Sequence, residues 1–328
     1  GEAARSAGDV ERYFQAYRAA IVDIGHSVQA GRALREQPGV SIKLSALHPR
    51  YEYAQRERVL RELVPRLRAL VEQAASVGIS LTLDAEEADR LELSLDIFQL
   101  LLRELNGDAW QGLGLAVQAY QKRAWPVLQW LERLARLQRR CIPVRLVKGA
   151  YWDYETVVAR QNGWEIPVYT IKAESDAAFE RHTRMILENH DICSYACGSH
   201  NIRSIAAAME MARQIGVPED RYEFQVLYGM AEPVRKGLLN VAKRVRLYAP
   251  YGDLLPGMAY LVRRLLENTA NESFLRQTFV EEAEIEALVE GAKEHGAYVS
   301  YKQTYAGEEP YEINSSWWSA INYAGSQE

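Results

Sequence analysis

The stretch PVRLVKGAY, residues 143–151, decides how the chain is read. Alternate side chains of a strand face opposite sides, so Val144 and Leu146 share one side and Arg145 takes the other. Taken singly, Arg145 reads as a satisfied polar group in a core. The same parity recurs along the chain, however. It returns in VSIKLSAL (40–47), ISLTLDAE (79–86), LGLAVQAY (113–120), ICSYACGSH (192–200), RYEFQVLYG (221–229) and RVRLYAPYG (244–252). Ile42 and Leu44 oppose Lys43 and Ser45; Leu81 and Leu83 oppose Thr82 and Asp84; Leu115 and Val117 oppose Ala116 and Gln118. Phe224 and Val226 oppose Gln225 and Leu227, and Val245 and Leu247 oppose Arg246 and Tyr248. Between the runs lie amphipathic segments such as RERVLRELVPRLRALVEQAA, with apolar residues at i, i+3, i+4 and i+7. Strand and helix alternating this regularly imply parallel crossovers. No G-x-G-x-x-G follows any run, which disfavours a dinucleotide-binding open sheet. The period predicts a closed (βα)8 barrel. Such barrels build active sites at the carboxyl ends of their strands, where Lys43, Asp84, Gln118, Arg145, His200 and Tyr248 fall. That convergence reads as an enzyme.

Composition agrees with one soluble barrel. The chain has 328 residues, 48% hydrophobic and 25% charged, an ordinary length for the fold. Its net charge is −5 and its basic residues are scattered, whereas a nucleic-acid surface needs a basic patch. The cysteines, Cys141, Cys193 and Cys197, are too few and too oddly spaced for a disulfide framework or a zinc site; Cys193 and Cys197 read as small core residues. No run of about 18 apolar residues occurs, and GEAARSAGDVERYFQAY has no signal-peptide pattern. A cytoplasmic location is expected, with room for peripheral contact at the inner membrane face. The period holds to about residue 280 and is lost in 281–328, which read as a tail or the start of a connection.

The inward residues are rich in cations, Lys43, Arg145, Lys148 and His200, answered mainly by Asp84. No cluster has metal-ligand spacing and no Ser-His-Asp set is visible. After Lys148, Gly149 allows close backbone approach, while Tyr151 and Trp152 offer flat surfaces that serve equally as rim packing. Cations, a glycine and aromatics at one strand end suit a large, flat, anionic cofactor better than a sugar phosphate. YLVRRLLEN (260–268) keeps two readings open. Arg263 and Arg264 are either solvated, with Glu267 at i+4 from Arg263 as a pair, or a fork for a carboxylate or phosphate. A Schiff-base aldolase, with Lys43 or Lys148 as nucleophile, is the alternative enzyme class.

SIKLSALHPRYEYAQRERV, LDAEEADRLELSLD, LAVQAYQKR, VRLVKGAYWD, YEFQVLYGMAEP and RLYAPYGDLLPGMAYLVRRLLENTANESF resemble the proline dehydrogenase domain of proline utilization A. The resemblance covers residues 1 to 280 in unbroken order. It implies a distorted (βα)8 TIM-like barrel that holds FAD and has its last helix over the mouth. It also implies oxidation of L-proline to Δ1-pyrroline-5-carboxylate by hydride transfer, with electrons passed to a membrane quinone. On that resemblance Lys43, Arg263 and Arg264 hold the substrate carboxylate, and Tyr151, Tyr248, Tyr260 and Leu227 wall its ring. Asp84 lies near the substrate nitrogen and orders Lys43 or a tyrosine. Arg145 stands beside the flavin's hydride-accepting nitrogen, with Gln118, Lys148 and Gly149 near the ring system or its ribityl chain. Trp152, Thr170, Lys172, His200, Asn201 and Glu267 contact the rest of the cofactor. Two departures follow. Only seven strands are clear, so either the family's first strand lies upstream of Gly1 or AYVSYKQTY (297–305) fills the gap. The aldehyde dehydrogenase domain (the Δ1-pyrroline-5-carboxylate dehydrogenase) that continues the bifunctional enzyme has no counterpart in this chain.

Overall fold

The computed structural model describes residues 3–105 and 110–252. Seven strands run through them: β1 (Gly39–Ile42), β2 (Ser80–Leu83), β3 (Leu113–Gln118), β4 (Ile142–Val147), β5 (Cys193–Gly198), β6 (Tyr222–Leu227) and β7 (Val245–Tyr248). Each pairs in parallel with the next, so sheet order is chain order. Parallel neighbours require long crossovers, and helices supply them. α1 (Ala7–Gly25) precedes β1, and α2 (Arg56–Ser76), α3 (Leu91–Glu104) and α4 (Ala124–Gln138) follow β1, β2 and β3. Two helices, α5 (Trp152–Asn162) and α6 (Lys172–Glu188), fill the connection after β4; α7 (Ile202–Ile215) and α8 (Glu232–Val241) follow β5 and β6.

The helices form for local reasons and stay for tertiary ones. Ser6 Oγ accepts from the amide of Asp9, and Asp9 Oδ2 accepts from the amide of Ser6, closing a capping box on α1. α2 buries Leu63, Leu67, Leu70, Val71 and Ala74 as one stripe against the sheet. Each fully buried leucine or valine there contributes about 1.5–3 kcal/mol relative to exposure. The sheet answers with the predicted parity. On β4, Ile142, Val144 and Leu146 are buried toward the helices, while Pro143, Arg145 and Val147 are less so. On β5, Cys193, Tyr195 and Cys197 are buried in the same core.

The curl of the sheet is read from side chains that meet across it. Arg246 on β7 donates to the carbonyls of Gln37 and Arg35, just ahead of β1. Tyr248, also on β7, donates to Asp84 at the end of β2. In a flat sheet β1 and β7 would stand six strand spacings apart, roughly 29 Å, beyond any side chain. The sheet therefore curls round as a TIM-like barrel, with seven parallel strands among the described residues and no β7–β1 pairing among them. The helix expected over the mouth lies outside them.

One sequence expectation is corrected. The run VSIKLSAL does not stay extended: β1 ends at Ile42 and Leu44–Ala46 form a 3-10 turn. The Lys43 amide bonds the Tyr17 hydroxyl at 3.1 Å, off the sheet ladder, and the Ser45 amide bonds Glu86 Oε1 at 2.9 Å. Ser45 is thus buried in a turn and not an alternating strand residue. The β4–β5 crossover is two helices, divided where Gly163 takes φ +67° and ends α5.

Candidate active site

The barrel interior holds a ladder of paired charges. At its base Arg246 makes a bidentate contact with Glu223 on β6, 2.7 and 2.9 Å. Glu223 Oε1 also accepts from Gln225 Nε2 at 2.6 Å. Gln225 Oε1 in turn accepts from Arg145 Nε at 2.6 Å. Arg145 then spreads its fork: Nη1 donates to Asp84 Oδ1 at 2.6 Å and Nη2 to Ser41 Oγ at 2.7 Å. Asp84 Oδ2 accepts from the Tyr248 hydroxyl at 2.8 Å, and the Arg145 guanidinium lies 5.1 Å from the centre of the Tyr248 ring. Side chains of Arg145 and Asp84 are only 11% and 14% exposed, so this pair is far stronger than a surface ion pair and correspondingly costly to break.

Lys43 stands beside that ladder, one residue past β1. Its Nζ donates to the Tyr151 hydroxyl at 3.2 Å. Burial opposes its charge, but Tyr151, Glu86 and Asp84 outweigh that and hold its pKa above the ordinary lysine value. Lys43 is therefore a cation at neutral pH.

Hydrogen bonds between successive strand ends fix the rim. Gln118, almost wholly buried, donates from Nε2 to the Glu86 carbonyl at 2.9 Å and accepts on Oε1 from the Ala150 amide at 3.1 Å. It thereby ties the segments after β2 and β4 through β3. Gly149 sits in that tie at φ +149°, and a Cβ there would stand 2.3 Å from the Tyr120 ring. Only glycine fits such an approach. The Tyr151 amide donates to the Tyr120 hydroxyl at 3.1 Å, which sets the start of α5.

A second charged group lies on the shoulder formed by α5 and α6. Lys148 Nζ donates to Asp176, which also accepts from Lys172 at 2.8 Å. Burial lowers the Lys148 pKa despite Asp176; burial also works to raise the Asp176 carboxyl, but the two lysines together outweigh it and hold that group below its usual range. Trp152, 40% exposed, donates from its indole to the Tyr169 carbonyl at 3.0 Å, next to exposed Thr170. Beyond β5, His200 Nε2 accepts from the Leu227 amide at 2.9 Å, which puts the proton of a neutral ring on Nδ1. Asn201 caps α7 by accepting from the Ser204 amide at 3.0 Å.

The comparisons with known proteins can now be set on this geometry. A family model described as proline dehydrogenase matches residues 1–277. The chain belongs to the proline dehydrogenase family. It is 45% identical over 286 residues to the bifunctional protein PutA of Salmonella typhimurium, covering 84% of this chain and 21% of that one. The proline dehydrogenase of Deinococcus radiodurans is 28% identical over 256 residues, 78% of this chain and 74% of the relative. Among solved structures, proline utilization A from Bdellovibrio bacteriovorus inactivated by N-propargylglycine superposes with a TM-score of 0.84 at 37% identity, over 90% of this chain and 32% of that one. The chain thus spans about a fifth of the bifunctional relatives it matches. Membership agrees with the barrel fold, and the ladder is the barrel's polar interior.

Of the residues expected in a proline dehydrogenase site, Lys43, Asp84, Arg145, Tyr151 and Tyr248 form one neighbourhood. Lys148 and Lys172 share Asp176 in another, and Leu227 meets His200 through its backbone. Tyr260, Arg263, Arg264 and Glu267 lie outside the described residues. Sequence reasoning assigned no role to Ser41, Gln225, Glu223, Glu86 or Asp176. Glu223 and Gln225 share the inward parity of β6, a signal present in YEFQVL, and Asp176 sits at i+4 from Lys172. Nothing in spacing joins Glu86 to Ser45, or Asp176 to Lys148.

Proposed function

We propose that this chain oxidises L-proline to Δ1-pyrroline-5-carboxylate with FAD as the hydride acceptor and a membrane quinone as the final oxidant. We take residues 1–280 as the barrel and 281–328 as a C-terminal tail or a connection to a further, Δ1-pyrroline-5-carboxylate-oxidising domain. Among the described residues no helix is long and apolar enough to cross a membrane, so contact with the quinone is read as peripheral. The observation that carries the reading is the mouth itself: Arg145, locked by Gln225, Asp84 and Ser41, stands within one neighbourhood of cationic Lys43.

The residues fit a flavin by the chemistry of their donors. Arg145 would hold negative charge at the ring, and Lys148, Lys172, Thr170, His200 and Asn201 offer donors for a phosphate-bearing tail beside the Trp152 and Tyr151 rings. The Gly149–Ala150 backbone, closed behind by Tyr120, leaves the rim open to close approach. FAD, when bound, supplies an acceptor for the hydride leaving the carbon next to the ring nitrogen. The chain's own residues do the rest. Lys43, joined by Arg263 and Arg264 on this reading, holds the carboxylate and so fixes which ring face is presented. Asp84 is committed to Arg145 and Tyr248, so it gives little stabilisation to a protonated substrate amine. The nearby cations disfavour that proton further, and the neutral amine is the form whose lone pair expels hydride.

The test is the visible spectrum of purified, FAD-reconstituted protein before and after anaerobic L-proline. Flavin bands that bleach on proline are expected. Absence of bound flavin, or bands indifferent to proline, refutes the reading. Borohydride trapping of a carbonyl substrate on a lysine would instead point to an aldolase.

A further inference from the structure

We propose that Glu223, which touches neither proline nor flavin in the function proposed above, is a positioning residue that sets the orientation of Arg145 through Gln225. The proposal rests on that function for its catalytic consequence and on hydrogen-bond direction for its structural part.

An ionised carboxylate only accepts hydrogen bonds. Glu223 is buried at 8% exposure and presents Oε1 to Gln225 Nε2 at 2.6 Å. The amide of Gln225 therefore has to turn its NH2 toward Glu223, which leaves its carbonyl oxygen for Arg145 Nε, 2.6 Å away. A flipped amide would oppose two donors at Arg145 and two acceptors at Glu223, so the direction is fixed twice over. Because guanidinium is planar and rigid, fixing the Nε–H vector fixes the plane. Nη1 then falls on Asp84 and Nη2 on Ser41.

Glu223 is itself anchored. Arg246 grips both its oxygens, and the remaining donors of Arg246 reach the Gln37 carbonyl at 2.8 Å and the Arg35 carbonyl at 3.0 Å. The ladder thus runs from backbone at the closed end of the barrel to the cation at its mouth, and every rung has one permitted direction. The plainer role for Glu223 is to neutralise Arg246 and seal the barrel floor. The two roles differ in what repairs a lesion.

The experiment uses the full chain and four variants. Glu223→Gln keeps the shape but lets the amide of Gln225 turn. Glu223→Gln with Gln225→Glu moves the acceptor-only group one rung up, so an oxygen again faces Arg145 Nε. Glu223→Leu with Arg246→Leu removes the floor pair without leaving a lone charge. Arg145→Met is the control for the function itself. The first readout is the Arg145 Nε–H nuclear magnetic resonance signal of flavin-free protein, identified by its loss in Arg145→Met. It should be protected in the wild type and the charge-shifted double variant, and lost in the other two Glu223 variants. The second is the flavin midpoint potential and limiting rate of flavin reduction in FAD-loaded protein. Glu223→Gln should lower the potential in the same sense as Arg145→Met and slow reduction by about tenfold to a hundredfold, as misplacing a reacting-site group does. The apparent affinity for proline should stay within about threefold in that variant, and the charge-shifted variant should recover the rate. A protected Nε–H in Glu223→Gln, or full recovery in the Leu–Leu variant, overturns the proposal. Loss of that signal with potential and rate unchanged in both Glu223→Gln and Arg145→Met refutes the role of Arg145 at the flavin, not its positioning.

Discussion

The barrel interior and the α5–α6 shoulder both hold clustered charges, yet they are built differently. In the interior each partner stands on a strand, and the pairs follow from parity: Glu223 and Gln225 on β6, Arg145 on β4, Arg246 and Tyr248 on β7. On the shoulder, Lys148 at a strand end meets Asp176 and Lys172 from a helix 24 to 28 positions onward in sequence. Strands hydrogen-bonded into one parallel sheet shift little, so the interior suits a group that must be oriented. Loops and short helices open more readily, so the shoulder suits a group that only has to hold charge. The chemistry proposed for each divides along the same line.

The sharpest way to break this contrast is Arg145→Met. If the interior orients a cation at the flavin, the variant should lower the flavin potential and slow its reduction by about 10²–10³-fold, the usual cost of one preorganised charge-stabilising donor. Potentiometry and stopped-flow reduction measure both. An equal or higher potential in the variant would place the function of Arg145 elsewhere.

Next in size is a pH effect that belongs to the shoulder. Glu155 on α5 is 6% exposed and accepts from the Ala88 amide at 2.6 Å, joining α5 to the segment after β2. Burial raises its pKa, helped by Asp89 and Glu87 and opposed by the Ala88 amide and Arg123, from 4.5 to about 7. The folded state therefore binds this proton more tightly than the unfolded chain. Its contribution to stability is complete below pH 4.5, declines as pH rises to 7, and is gone above. The displacement corresponds to roughly 3 kcal/mol. Glu155→Gln keeps an acceptor for Ala88 and should flatten that slope, leaving the variant more stable than wild type at pH 8. Urea unfolding across pH 5–8 gives the answer, and parallel slopes in the two proteins would show that Glu155 does not titrate in this window.

How much of this was readable beforehand follows from the same contrast. Period-2 alternation located all seven strands, and parity brought Lys43, Asp84, Arg145 and Tyr248 to one mouth, because a buried two-sided sheet leaves no freedom in which way a residue points. Parity also set Gln225 on the inner side of β6, and Glu223, which shares that parity, was not singled out. Parity assigned neither a task, since hydrogen-bond direction depends on partners from other strands. The shoulder was less legible. Lys148 and Trp152 stood out at their strand end, Thr170 and Lys172 only through family resemblance, and Asp176 not at all, because the helix face that returns to a strand end depends on a crossover whose division at Gly163 was not foreseen. Ser45 misled for a related reason: a 3-10 turn ends the alternation after Ile42.

Arg263→Met or Arg264→Met tests the carboxylate clamp, whose arginines lie outside the described residues. Loss of one arm of a charge-assisted pair costs about 1.5–3 kcal/mol, so proline affinity should fall roughly tenfold to a hundredfold while FAD stays bound. Titration of the flavin spectrum with proline reads this directly. Unchanged proline affinity in both variants would return the pair to the solvated face of its helix.

The smallest effect expected is Trp152→Phe, and it separates the two regions most finely. The indole makes one hydrogen bond, to the Tyr169 carbonyl at 3.0 Å, and the side chain is 40% exposed. Phenylalanine keeps a flat ring but has no donor, so the Tyr169 carbonyl turns to water at a cost of about 0.5–1.5 kcal/mol. That bond ties the first residue of α5 to the chain that leads into Lys172. Its loss should loosen the shoulder alone: FAD should bind roughly two- to tenfold more weakly, as the same energy implies. The flavin potential and the proline affinity of fully loaded protein should match wild type, because Arg145 bonds to Asp84 and to Gln225, and Lys43 bonds to the hydroxyl of Tyr151 and not to the indole. A potential that moves with Trp152→Phe would mean that the shoulder and the ladder are mechanically one unit.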